Sequence, residues 1–136
     1  MPQYSYGTHV EMLDPEQRVA LLSPLLRAMN QAQRLDASAV ISGDGFVIAS
    51  ELGPDIEPNR FAAMGASLLA LADRAAREVE RGALRQVLVE GEHGTMLLVR
   101  AGTDAVLAVA APANVNLGMI FLETRRTAAK IESLLG

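Results

Sequence analysis

Between residues 14 and 136 the apolar positions form three stretches with helical spacing and five short runs bounded by turn residues. The first helical stretch opens on Asp14-Pro15-Glu16-Gln17, where a capping carboxylate, a first-turn proline and a glutamine three residues past the cap together signal a helix start. Leu22, Leu25, Leu26 and Met29 supply its apolar stripe, and the spacing predicts a helix over 15–34. Pro24 lies inside it, and because an interior proline costs about 3 kcal/mol, a kink or restart is expected there. Residues 1–13 mix Pro, Gly, Ser and Tyr without a period and read as a flexible lead-in to one domain over 14–136.

Ala37–Ser42 and Phe46–Ser50 are short apolar runs flanking Gly43-Asp44-Gly45, a hairpin signal because Asp-Gly accepts the positive φ angles of a tight reversal. Pro58 fits a first helical turn, no proline follows before Gly82, and a second helix is expected over 58–81. Leu84–Glu90, Thr95–Arg100 and Ala105–Ala110 then follow with short Gly-containing links, the pattern of an antiparallel meander. Both alternating sets in these strands contain apolar residues, so helices must cover both faces of the sheet. Leu117, Phe121, Ala128, Ile131 and Leu135 mark a last helix over 117–135. The order is α-β-β-α-β-β-β-α, an α+β domain.

Composition narrows the function. Half of the 136 residues are apolar, which a compact globule requires, while aromatics make up 4% and tryptophan is absent. With a net charge of −4, phosphate-backbone binding and base stacking are poorly supported, so no nucleic-acid partner is expected. There is no cysteine, which removes disulfides and thiolate chemistry and suits a reducing cytoplasm. The longest uncharged apolar run, Phe61–Ala72, is shorter than the ~18 residues a membrane span needs, so a cytoplasmic protein without membrane insertion is expected.

No catalytic constellation emerges. The single lysine, Lys130, follows Ala129 in the last helix, so there is no P-loop. Gly43-Asp44-Gly45 lacks the third glycine and the following helix of a dinucleotide loop. Glu90, Glu92 and His93 fall in a Gly-flanked turn, where a solvated reading outweighs an acid–base or metal site. Ser67 follows Gly65-Ala66, but Leu69 stands where a nucleophile elbow needs glycine. Neither catalysis, nor a metal, nor a cofactor is expected.

Two features remain. Arg74, Arg77 and Arg81 share helical spacing beside Asp73, Glu78 and Glu80, either as a salt-bridged solvated face or as a docking surface. More informative is the run Phe61–Ala72, uncharged for more than about three turns and so apolar all round. One side can rest on the sheet; the other would present an apolar patch of the kind that marks an interaction site. Small residues at Gly65, Ala66, Ser67 and Ala70 would admit a second helix closely, which favours a homodimer with Leu84–Glu90 as a pairing edge.

Three strings, taken in order, resemble the Roadblock family, the dynein light-chain group that includes the bacterial MglB-type regulators of Ras-like GTPases. They are Ala37–Ala49 (ASAVISGDGFVIA), Gly82–Glu90 (GALRQVLVE), and Ala105–Ala110 (AVLAVA) followed by Asn116-Leu117-Gly118. The resemblance covers about residues 15–135. It implies a profilin-like five-stranded antiparallel sheet with the middle helix on one face and the terminal helices on the other. It also implies dimers joined through the middle helix and third strand into a ten-stranded sheet, and a non-enzymatic platform with no catalytic residues to transfer. Phe61, Met64, Gly65, Leu68, Leu71 and Ala72 of the helix and Leu84, Val87 and Val89 of the strand are then expected at the dimer interface. Arg74, Arg77 and Arg81 are the candidate GTPase-docking residues. The function so implied is binding of a small Ras-like GTPase with stimulation of GTP hydrolysis; a scaffold subunit and a small-ligand sensor are the alternatives.

Overall fold

The computed structural model describes residues 13–135. Apart from Leu13, the expected lead-in lies outside the described residues. Helix α1 spans Pro15–Gln33, strands β1 and β2 span Ala37–Ser42 and Val47–Glu51, and helix α2 spans Pro58–Glu78. Strands β3 (Gln86–Gly91), β4 (Gly94–Arg100) and β5 (Ala105–Pro112) follow, and helix α3 (Leu117–Leu135) closes the chain. The strands form one antiparallel sheet in the order β2-β1-β5-β4-β3, so β2 and β3 are its edges.

The capping box at α1 is present in full: Gln17 N–H donates to Asp14 Oδ1 at 2.8 Å, and Asp14 N–H donates to Gln17 Oε1 at 2.9 Å. Pro24 does not restart the helix, which is continuous through it. Pro24 and Ala20 are both exposed, so the carbonyl that loses its helical donor can turn to water. In the β1–β2 hairpin only Gly45 of the Asp-Gly pair has positive φ (90°), and Phe46 belongs to the loop: its N–H donates to Ser42 Oγ, and β2 starts one residue later.

Helix α2 ends at Glu78, three residues short of the expected boundary, for a reason unrelated to Gly82. Glu80 adopts φ 59°, its N–H donates to the Arg77 carbonyl, and Arg81 N–H donates to the Ala76 carbonyl at 2.8 Å. This is a Schellman closure with glutamate in the left-handed position. At the start of α2, Glu57 caps the helix by accepting from Asn59 and Arg60 N–H. The β3–β4 link is tighter than expected, two residues between the paired Gly91 and Gly94.

Two cores flank the sheet, as both-face burial demands. On one side α1 and α3 cover a larger cluster that includes Leu22, Leu26, Val40, Leu97, Leu107 and Ile131. On the other side α2 alone covers Ala39, Ile41, Leu98, Val106 and Ala108 with Ala62 and Leu69.

Candidate interaction surface on the middle helix and edge strand

Helix α2 seats itself on the sheet with its smallest residues. Ala62, Gly65 and Leu69 are buried, and a Cβ at position 65 would lie 2.8 Å from Ile41 Cδ1. Gly65 therefore permits close approach to its own sheet, not to another helix, which corrects its expected place on the outer face. Phe61 and Leu68 are half-buried against the same core.

A single helix cannot hide a stripe that runs all the way round it. Ala63, Met64, Ser67, Ala70 and Leu71 are exposed, and Met64 and Leu71 leave 58% and 63% of their surface to solvent. This uncharged row lies between Arg60 and Arg74, both exposed. Edge strand β3, against which α2 packs, continues the apolar surface with Val89, 39% exposed, and half-buried Val87, while Leu88, 45% exposed, stands opposite Leu97 and so lies on the other face of the sheet, with α1 and α3. Ala72 and Leu84 are half-buried, and Leu84 lies in the link before β3.

The three arginines do not form one helical row. Arg81 lies beyond the Schellman turn, since the helix stops at Glu78. Arg77 Nε donates to Asp73 Oδ2 at 2.9 Å, whereas Arg74 is exposed. Asp73 is the fastener that sequence reasoning missed. Its Oδ1 accepts from Leu84 N–H at 2.9 Å and lies 3.7 Å from an Arg100 guanidinium nitrogen. It thus ties helix α2 to the start of β3 and the end of β4. The Leu84 N–H, then Arg77 and Arg100, hold the Asp73 carboxyl below the usual aspartate range against a smaller desolvation effect. The signal available was an aspartate four residues before Arg77 on the helix.

The other candidates stay apart. Glu90, Glu92 and His93 are exposed around the hairpin turn, and Ser67 faces solvent. Among the described residues no group of three His, Asp or Glu side chains is placed to hold a metal ion, and no helix is long and apolar enough to cross a membrane. An open groove of about 600 Å³ lies at one end of the sheet, between the β1–β2 turn, the β4–β5 link and the ends of α1 and α3. It is lined by Arg18, Phe46, Asp104, Glu132 and Leu135, among others, and lies outside the interval between sheet and helix where a ligand sensor would hold its cavity.

Residues 21–111 match the Roadblock/LC7 domain. The chain belongs to this family. Protein MJ1340 of Methanocaldococcus jannaschii is 36% identical over 114 residues, covering 84% of this chain and 99% of that protein. A solved structure of MglB with tetrameric arrangement superposes with a TM-score of 0.80 at 20% identity, covering 87% of this chain and 90% of that one. Profilin IA of Acanthamoeba castellanii superposes at 0.60 with 13% identity, covering 85% and 96%, so the Roadblock chain shares the profilin-like sheet and helix layers. Membership in this family supports a regulatory or adaptor role.

Proposed function

We propose that this Roadblock chain is a non-enzymatic homodimeric adaptor that binds a small Ras-like GTPase through a surface built around paired α2 helices, and stimulates its GTP hydrolysis. The observation that carries the reading is the uncharged exposed row of α2 with its continuation onto the free edge of β3. An apolar surface of this shape on so small a domain is stable when it is covered. Its likeness to MglB supports the choice of partner. Gly65 no longer contributes to the outer face; Phe61, Met64, Leu68, Leu71 and Ala72 with Leu84, Val87 and Val89 make the dimer surface. Arg74, Arg77 and Arg81 flank it at the end of α2 and supply the docking charge.

The regulator would act by population shift. It contacts the GTP-bound conformation better than the GDP-bound one, orders the GTPase's own switch segments, and shifts them only by that difference in affinity. Such a protein works in the cytoplasm, where Ras-like GTPases act.

The test is affinity capture with the tagged protein in the presence of GDP or a non-hydrolysable GTP analogue, followed by hydrolysis assays on any purified GTPase recovered. Selective enrichment with the analogue and faster hydrolysis support the reading. Equal affinity for both nucleotide states turns it into the scaffold role, and unchanged binding by Arg77→Glu removes the arginines from the docking site.

A further inference from the structure

The groove at the end of the sheet is apolar inside and acidic at its rim. Ile48 and Leu135 pack on the core beneath α1 and α3 and line the groove together with Phe46. Phe46 leaves 69% of its surface to solvent, more than any other large apolar side chain among the described residues. Asp44, Asp104 and Glu132 stand exposed around this floor, and Arg18 is the one basic residue of the lining. None of these four charged groups takes part in an ion pair among the described residues. The groove thus presents apolar surface flanked by hydrogen-bond acceptors that have no cation of their own.

Pro15 and Arg18, in the first turn of α1, line the same groove, so the chain before Leu13 joins the described fold at its mouth. Read as extended chain, that segment has a two-residue period. Tyr4, Tyr6, Val10 and Met12, with Thr8 among them, fall on one side, and Gln3, Ser5, Gly7, His9 and Glu11 fall on the other. Helical spacing is absent from it, which is why it passes for an unpatterned lead-in beside the periodic α1. It contains no lysine or arginine, and its two phenol hydroxyls are donors suited to the acceptor-only carboxylates of the rim.

We propose that residues 4–12 seat in the groove of their own subunit as an extended strap, with Tyr4, Tyr6 and Val10 turned onto Phe46, Ile48 and Leu135. Reach does not limit this. Tyr6 stands seven residues before Leu13, about 23 Å of extended chain, against a radius of gyration of about 14 Å for a domain of this size. The tether also selects this occupant over a free peptide. It holds the segment at an effective concentration of about 1 mM, so a contact with a Kd of only about 0.1 mM in solution is about nine-tenths seated within the chain. The strap closes the groove to other apolar ligands until one of higher affinity displaces it. The seat is bordered by β2, the opposite edge of the sheet from β3, and depends on neither a homodimer nor a GTPase.

The chain carries its own reporter. Tyr4 and Tyr6 are its only tyrosines and it has no tryptophan, so intrinsic fluorescence reads the segment alone. In the unmodified full chain, acrylamide should quench tyrosine emission up to about tenfold less than in a peptide of residues 1–12, in keeping with nine-tenths occupancy. Phe46→Asp should return quenching to the peptide level, and Phe46→Ala should move it in the same direction; both change a side chain that is exposed in the fold. A full chain carrying Tyr4→Ser and Tyr6→Ser has no tyrosine left. Adding the 1–12 peptide to it should raise the peptide's anisotropy saturably, with a midpoint of about 0.1 mM, and the same chain with Phe46→Asp should give no rise.

Peptide-like quenching in the unmodified chain overturns the proposal. Protection that survives both Phe46→Asp and Phe46→Ala also overturns it, because the segment would then be seated elsewhere. So does a peptide whose anisotropy stays flat into the millimolar range, where the tether could no longer hold the strap in place.

Discussion

Replacing Gly65 with alanine sets two opposing effects against each other. Alanine in a helix interior is better than glycine by about 1 kcal/mol. Its methyl group, however, would stand 2.8 Å from Ile41 Cδ1 and 3.9 Å from Leu98 Cδ2. Ile41 and Leu98 are both fully buried in the cluster that also holds Ala62, Leu69 and Val106, so Ile41 can give way only by disturbing a packed core. Overpacking of this kind costs roughly 1–3 kcal/mol, which leaves a net destabilisation of about 0–2 kcal/mol. Ile41→Val removes the obstructing carbon and alone costs about 0.5–1.5 kcal/mol. In the double variant the alanine methyl occupies the vacated space, and stability should return to the unmodified value or slightly above. The coupling between the two sites is then the sum of the two single losses, about 0.5–3.5 kcal/mol. Denaturant unfolding of all four proteins at one fixed protein concentration measures it, since subunit association makes midpoints concentration-dependent. Additivity within about 0.5 kcal/mol would refute the reasoning.

Met64→Asp probes the opposite side of the same helix. Met64 is 58% exposed in the single chain, so the fold should survive, while an unpaired charge buried between subunits costs about 3–5 kcal/mol and should leave a 14.5 kDa species; a 29.0 kDa particle, twice the chain mass, would exclude that face. Glu80→Gly should raise the unfolding free energy by about 0.5–1 kcal/mol, because glycine holds the φ of 59° without a Cβ penalty; a loss of stability would mean that the glutamate side chain matters at the turn. Asp73 gives a pH dependence of known sign. Its folded value lies below its unfolded one, so the stability it contributes is complete above the ordinary aspartate value of about 3.9 and is lost as pH falls through the folded value. The gap in urea midpoint between the unmodified protein and Asp73→Asn should therefore be open at neutral pH and close on acidification; a gap independent of pH would sink this assignment.

Much of the fold was legible because its signals are local. Asp14-Pro15-Glu16-Gln17 carries both halves of a capping box, and α1 starts where the box puts it. The apolar parity of β4 and β5 required helices on both faces, and two cores are present. Element ends were less legible, because they depend on backbone conformations that residue type only biases. Glu80 takes the left-handed position that Gly82 was expected to fill, since two helix carbonyls are satisfied there. Asp73 was invisible as a fastener because its partners Leu84 and Arg100 are distant in sequence and meet it only through the tertiary fold.

The candidate surface shows where periodicity stops being informative. An uncharged run says that a helix has no polar face, not which of its residues touches its own sheet. That choice is made by volume. The sheet beneath α2 is filled by Ile41, Leu98 and Val106, so the helix can settle only where it offers Ala62 and Gly65. Once those positions are fixed, helical geometry carries Ala63, Met64, Ser67 and Leu71 to the far side, whatever their preference for burial. The exposed row is thus a consequence of core packing. The same closeness that Gly65 permits sets the height of that row above β3, which Asp73 holds through Leu84. Inner packing and outer surface are one mechanical unit, and a change at Ile41 or Asp73 should reach the α2–β3 surface without either residue lying on it.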